Sequence, residues 1–175
     1  MNMKNFIYVL LLFVFGSSAV FAQTSKPTKS VVKNTEVKTE EREKFDPTRV
    51  AADDLKNAIA KAQKENKRII LDVGGEWCGW CRLMDNYFIK NAELAKLRDE
   101  NFIWLKINFS EENENTEFLA AYPAVMGYPH LFVLEKDGKF LHSQNTAELE
   151  ESKTYNLQIF TSFLTRWSPP KAAVK

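Results

Sequence analysis

The order of apolar segments in these 175 residues predicts an α/β domain, a mixed central sheet of about four strands with helices on both faces. Three observations carry that expectation. The runs Arg68 to Gly74 and Phe102 to Phe109 are too continuously apolar for a sheet wet on one side, so they read as buried strands. Segments of helical period separate them, which argues parallel pairing through crossover helices. A closing hairpin, Leu131–Glu135 and Phe140–Ser143 around Lys136-Asp137-Gly138-Lys139, then adds an antiparallel edge.

Taken in order, the chain opens on a targeting signature. Lys4, the apolar stretch Phe6 to Phe15 and Val20-Phe21-Ala22 before Gln23 give residues 1–22 the layout of a cleaved signal peptide. Its apolar core of about ten residues is short of the roughly 20 a bilayer needs, so no stable membrane insertion is expected after cleavage. Residues 23–46, rich in Thr, Lys, Glu and Ser without an apolar period, read as a disordered linker. The folded domain is expected over residues 47–170, with 171–175 a tail. A helix should start at Asp46-Pro47 and bury Leu55, Ala58, Ile59 and Ala62 before ending near Glu65. After the first strand, Gly74-Gly75 breaks the chain. A second helix opens at Cys78, carries Cys81, Leu83, Met84 and Phe88, and runs past an irregularity near Asn91 to Leu97. Ser110–Asn115 caps a short helix, Thr116 to Tyr122, and Gln144 to Lys153 reads as a polar loop. Phe160, Phe163, Leu164 and Trp167 fall at i, i+3, i+4 and i+7, giving a final amphipathic helix that Ser168-Pro169-Pro170 stops.

Charge excludes some functions. With 24 basic and 23 acidic residues, the chain carries no electrostatic footprint for nucleic acid or an anionic membrane. Hydrophobic residues at 45% are ample for one core. The chemistry concentrates in Cys78 and Cys81, the only two cysteines. As a staple they make poor sense, because so small a loop constrains the unfolded chain very little. Zinc needs about four ligands at characteristic spacing, and the only histidines, His130 and His142, do not supply it, so no metal is expected.

The stretch Glu76-Trp77-Cys78-Gly79-Trp80-Cys81 after Ile70-Leu71-Asp72-Val73, with Lys106-Ile107-Asn108 and then Gly127-Tyr128-Pro129 before Leu131-Phe132-Val133, resembles the thioredoxin-like family over about residues 50–168. Gly-Trp between the cysteines and Gly-Tyr-Pro at the loop are similar to its exported members. The resemblance implies a thiol–disulfide oxidoreductase that works without a cofactor on protein thiols and disulfides, with a further redox partner to be identified. The expected location is periplasmic or secreted, and the expected state a monomer.

Residue by residue, Cys78 at a helix N-terminus faces unpaired N–H groups that favour thiolate, so it is the candidate nucleophile. Cys81, one turn on, would resolve the mixed disulfide. Asp72 inside an apolar strand is costly unless paired or neutral, which suits a general base for Cys81; a water-facing aspartate is the plainer alternative. By resemblance it holds the family's buried acid position. Lys106 is either its partner or a surface lysine. Trp77 and Trp80 form an apolar collar that meets substrate, Trp77 with a possible place in the core and Trp80 where the family exposes its residue. Pro129 is read as cis, and Tyr128 before it as shaping partner choice through backbone pairing with a bound peptide. His130 reads first as a satisfied strand histidine and second as a tuner of the thiols. Glu76 and Arg82 bracket the pair with opposing charges. Asp72, and the lack of a histidine between the cysteines, lean the reading toward a reductase or isomerase. The alternative from another class is a thioredoxin-fold binding module, a chaperone or a copper carrier with His130 as third ligand.

Overall fold

The structure, a computed structural model, describes residues 42–170. The expected signal peptide, most of the expected linker and the tail lie outside the described residues. Four strands form the main sheet: β1 (Arg68–Gly74), β2 (Phe102–Asn108), β3 (His130–Leu134) and β4 (Phe140–Asn145). Their spatial order is β2-β1-β3-β4, with β1 parallel to β2 and antiparallel to β3, and β3 antiparallel to β4. The mixed sheet predicted from the apolar segments is therefore present.

Alternation along β1 divides the core. Ile69, Leu71 and Val73 join Ala58 and Ala62 of α1 (Ala51–Glu65), Leu105 and Ile107 of β2, and Phe132 of β3. Ile70 instead joins Met84 and Phe88 of α2 (Gly79–Lys90), Leu94 of α3 (Ala92–Asn101), and Phe160, Phe163 and Leu164 of α5 (Leu157–Trp167). Burying each of those large side chains is worth about 2–3 kcal/mol. Asp72 falls two residues after Ile70, on the α2 side of the sheet, and alternation alone puts it there.

Several boundaries differ from the sequence reading, each for a local reason. The helix start expected at Asp46-Pro47 is instead a turn, because Asp46 Oδ1 accepts from the Thr48 N–H at 2.8 Å; α1 begins at Ala51. At Asn91 the helix breaks outright, and Asn91 Nδ2 donates to the Tyr87 carbonyl at 2.7 Å. The short helix α4 spans only Thr116–Leu119. The expected polar loop from Gln144 is built structure. β4 runs on to Asn145, a 3₁₀ turn (Thr146–Leu149) follows, and β5 (Glu150–Glu151) pairs with β6 (Thr154–Tyr155). Thr146, Leu149 and Tyr155 from this segment are all buried. Polar composition concealed single inward residues. The final helix stands where predicted, its first turn capped by Asn156, whose side chain accepts from the Ile159 N–H at 3.0 Å.

Residues 42–46, assigned to the linker on composition, lie against the domain. Phe45 is only 3% exposed and packs with Cys78 and Cys81. No helix among the described residues is long and apolar enough to cross a membrane.

Candidate functional site

The site sits where β1 ends and α2 begins. Cys78 caps α2: its Sγ accepts the Cys81 N–H at 3.1 Å, and its own N–H donates to the Gly75 carbonyl at 3.0 Å. The two cysteines are joined as a disulfide with Cα atoms 5.3 Å apart, and both are nearly buried. Two glycines make this turn possible. A Cβ at Gly74 would stand 2.5 Å from the Cys81 sulfur, and one at Gly75 would stand 2.8 Å from the Phe109 carbonyl. Real Cβ atoms do not come so close, so neither position has room for a side chain.

One side of the pair is aromatic. Trp77 is 57% exposed, donates its indole N–H to the Phe109 carbonyl at 2.7 Å, and stands edge-on to Tyr128 with centroids 5.5 Å apart. Phe109 stacks on Tyr128 with centroids 4.9 Å apart. The Tyr128–Pro129 bond is cis, and the Pro129 carbonyl accepts from the buried Thr146 hydroxyl at 2.5 Å. Trp80 corrects the sequence reading. It is half-buried, edge-on to Tyr155 at 5.6 Å, while Trp77 is the exposed member of the collar. The cause is α2 itself, which turns Trp80 toward the core that Tyr155 completes.

Beneath the pair lies an ion network. Asp72 is fully buried, and its Oδ2 accepts from Lys106 Nζ at 3.0 Å and from Trp104 Nε1 at 3.1 Å. No group among the described residues bonds its Oδ1. Lys106 is Asp72's register partner across β1 and β2, and its Nζ also donates to Asp85 at 2.7 Å. The surface-lysine alternative for Lys106 is thereby removed. Asp85 in turn accepts from Arg42 at 3.1 Å, and Arg42 reaches Glu76 at 2.9 Å. The Phe45 N–H donates to Glu76 at 2.9 Å, and its ring covers Lys106 Nζ at 4.1 Å.

The charges respond to their settings. Burial pushes the Asp85 carboxyl up, with Lys106 pulling the other way. For Lys106, burial alone favours the neutral amine, but the facing carboxylates of Asp72 and Asp85 outweigh it and raise the group. The hydrogen bond from Arg42 is the main force that pushes Glu76 down to about 2, against partial burial. Glu76 and Arg82 therefore do not simply oppose each other across the thiols. Glu76 is engaged by Arg42, while Arg82 hydrogen-bonds the Glu76 carbonyl.

His130 is buried, its Nε2 shares a hydrogen bond with Ser143 at 2.8 Å, and its ring lies against Phe132. In register it opposes Val73, so it sits on the face of the sheet away from Asp72. Burial and nearby His142 push it toward the neutral form. Among the described residues no three His, Cys, Asp or Glu side chains gather as a metal site.

Sequence reasoning missed Asp85, Arg42 and Phe45. For Asp85 a signal existed: Cys81, Asp85 and Phe88 lie at i, i+4 and i+7, one face of the helix.

A thioredoxin fold with a disulfide at the N-terminus of its second helix is what these elements make. Residues 50–136 match the family model described as thioredoxin-like, so the described domain is a thioredoxin-like one. It is similar to the crystal structure of a disulphide isomerase from Xylella fastidiosa, with 26% identity and a TM-score of 0.61, over 70% of this chain and 94% of that one. It is 43% identical over 54 residues to spermatogenesis-associated protein 20 of Mus musculus, which is 31% of this chain and 7% of that protein. It is 23% identical over 111 residues to the thiol:disulfide interchange protein DsbD of Colwellia psychrerythraea, 62% of this chain and 18% of that one. The chain thus spans less than a fifth of the length of those two curated relatives.

Proposed function

We propose that this chain is an exported thiol–disulfide oxidoreductase that exchanges disulfides with protein partners through Cys78 and Cys81, leaning toward reduction or isomerisation. The observation that carries the reading is the Cys78–Cys81 disulfide at the start of α2 with a buried, lysine-paired carboxylate behind it. The names of the disulphide isomerase and of the interchange protein agree with it.

In the reduced form, the Cys78 thiolate attacks one sulfur of a partner disulfide. A Cys78–partner bond forms, the partner S–S bond breaks, and the departing partner thiolate takes a proton. Cys81 then loses its proton to Asp72 and attacks the Cys78 sulfur, the Cys78–partner bond breaks, and the partner's second sulfur leaves as a thiolate that takes up a proton. The intramolecular disulfide returns, and two electrons have passed to the partner. A redox partner must later restore the thiols. Helix position favours the Cys78 thiolate, and Asp72 has an Oδ1 that no described residue occupies. Trp77, Trp80, Tyr128 and Pro129 would line the approach, with Trp77 the one most open to a client. Export rests on the leader-like residues 1–22, and the working unit is a monomer in the periplasm or outside the cell.

Insulin-type disulfide reduction tests this. The wild-type chain should turn over, Cys78→Ser should lose turnover, and Cys81→Ala should accumulate mixed disulfides through Cys78. A folded wild-type protein that neither reduces insulin nor forms Cys78 adducts would sink the proposal.

A further inference from the structure

The short strap that precedes α1 has no place in the exchange steps above, yet it reaches both the disulfide and the ions under it. Phe45 packs with Cys78 and Cys81, its ring tip lies 3.1 Å from where a Cβ on Gly74 would be, and its face covers the Lys106 ammonium at 4.1 Å. Arg42 spans two carboxylates that come from different segments, Glu76 before the cysteines and Asp85 one turn after them. A groove of about 420 Å³ borders this strap and is lined by Arg42, Asp85, Trp104 and Lys106, so water reaches the outer end of the ion network there.

We propose that Arg42 and Phe45 are positioning residues of the site, Arg42 setting the charge balance around the thiols and Phe45 closing the disulfide off from the groove. The inference rests on the thiol-exchange reading for its purpose, but its test does not need turnover. Around the thiols, Asp72 stands on β1, Lys106 on β2, Asp85 and Arg82 on α2, Glu76 in the entry turn and Arg42 on the strap. The phenols of Tyr128 and Tyr155 pack against the two tryptophans, and His130 lies on the opposite face of the sheet. Arg42 is the one of these cations that joins two carboxylates from outside the Cys-x-x-Cys helix and the sheet. Removing it leaves the neighbourhood more negative, which disfavours a thiolate.

The experiment measures the rate of iodoacetamide alkylation against pH in the dithiothreitol-reduced chain. Arg42→Gln should move the midpoint of the reactive thiol up by roughly half a pH unit, the scale expected of one charge removed from a partly screened neighbourhood. Arg42→Lys should restore most of it. Phe45→Leu, which leaves the ions in place, should speed dithiothreitol reduction of the Cys78–Cys81 disulfide at least threefold. An unchanged midpoint in folded Arg42→Gln overturns the proposal, as does a drop in melting temperature with no change in midpoint. Should Arg42→Gln fail to fold, Phe45→Leu decides, an unchanged reduction rate ending the proposal. Failure of the wild-type chain to reduce insulin would instead count against the exchange function and leave this test readable.

Discussion

The two sides of the Cys78–Cys81 pair are built from different physics. On the open side, Trp77, Tyr128 and Phe109 hold one another by ring contacts and one indole hydrogen bond, and water reaches them. On the closed side, Asp72, Lys106 and Asp85 are bonded in a chain that only Arg42 and Glu76 carry to the surface. Losing a contact on the open side costs a little packing. Losing one on the closed side strands a charge in a medium that cannot solvate it, so the penalties differ by several-fold. The open side can therefore vary with the client, while the closed side holds the chemistry constant.

Lys106→Met attacks the closed side hardest, because it leaves the buried Asp72 without its cation. The expected loss is about 3 kcal/mol or more, read by denaturant unfolding at neutral pH. A loss under about 1 kcal/mol would mean the network is far wetter than its burial indicates. Gly74→Ala, at the junction of the two sides, drives a Cβ against the Cys81 sulfur and should cost roughly 1–3 kcal/mol. The same measurement on the reduced protein checks it, and an unchanged stability would contradict the tight approach.

Glu76 gives a pH signature. Its folded carboxyl is held down at about 2 from an ordinary 4.5, so its stabilisation is present above about 4.5 and fades as pH falls toward 2. Because its side chain is 39% exposed, screening reduces that contribution to about 1 kcal/mol. In Glu76→Gln the slope of stability between pH 4.5 and 2 should flatten, and an unaltered slope would assign the acid sensitivity elsewhere. Trp77→Ala closes the series on the open side. Stability should fall by under about 1 kcal/mol, mostly the indole hydrogen bond. The kcat/KM for a protein disulfide should meanwhile drop about fivefold, roughly 1 kcal/mol of transition-state contact. A stability loss as large as that of Lys106→Met would erase the distinction between the sides.

What could be seen in the sequence follows the same division. The strands, the hairpin at Asp137-Gly138 and the last helix announce themselves through period and turn chemistry, which are local. Cys78, Cys81 and Asp72 were visible because each breaks its local pattern: two thiols in a chain with no others, one acid in an apolar strand. Asp85 breaks nothing, since a polar residue is ordinary on a half-exposed helix, and its partner Lys106 arrives from a strand 21 residues later. Arg42 sits in a stretch of alternating charges where composition argued for a tether. The half-burial of Trp80 has a similar origin. It comes from contact with Tyr155, which follows a stretch, Gln144 to Lys153, that reads as polar loop because only a few of its residues face inward.

That segment carries a practical consequence. The Thr146 hydroxyl holds the Pro129 carbonyl at 2.5 Å, and the Tyr155 phenol, from the same stretch, lies 3.5 Å from the Trp80 carbonyl. The two rims of the cleft are thus tied together by residues 146–155, which no motif marks. Anyone transplanting this active site into another thioredoxin-like scaffold would need to move that stretch with the cysteines, or the borrowed loop and helix would settle at a spacing of the host's choosing.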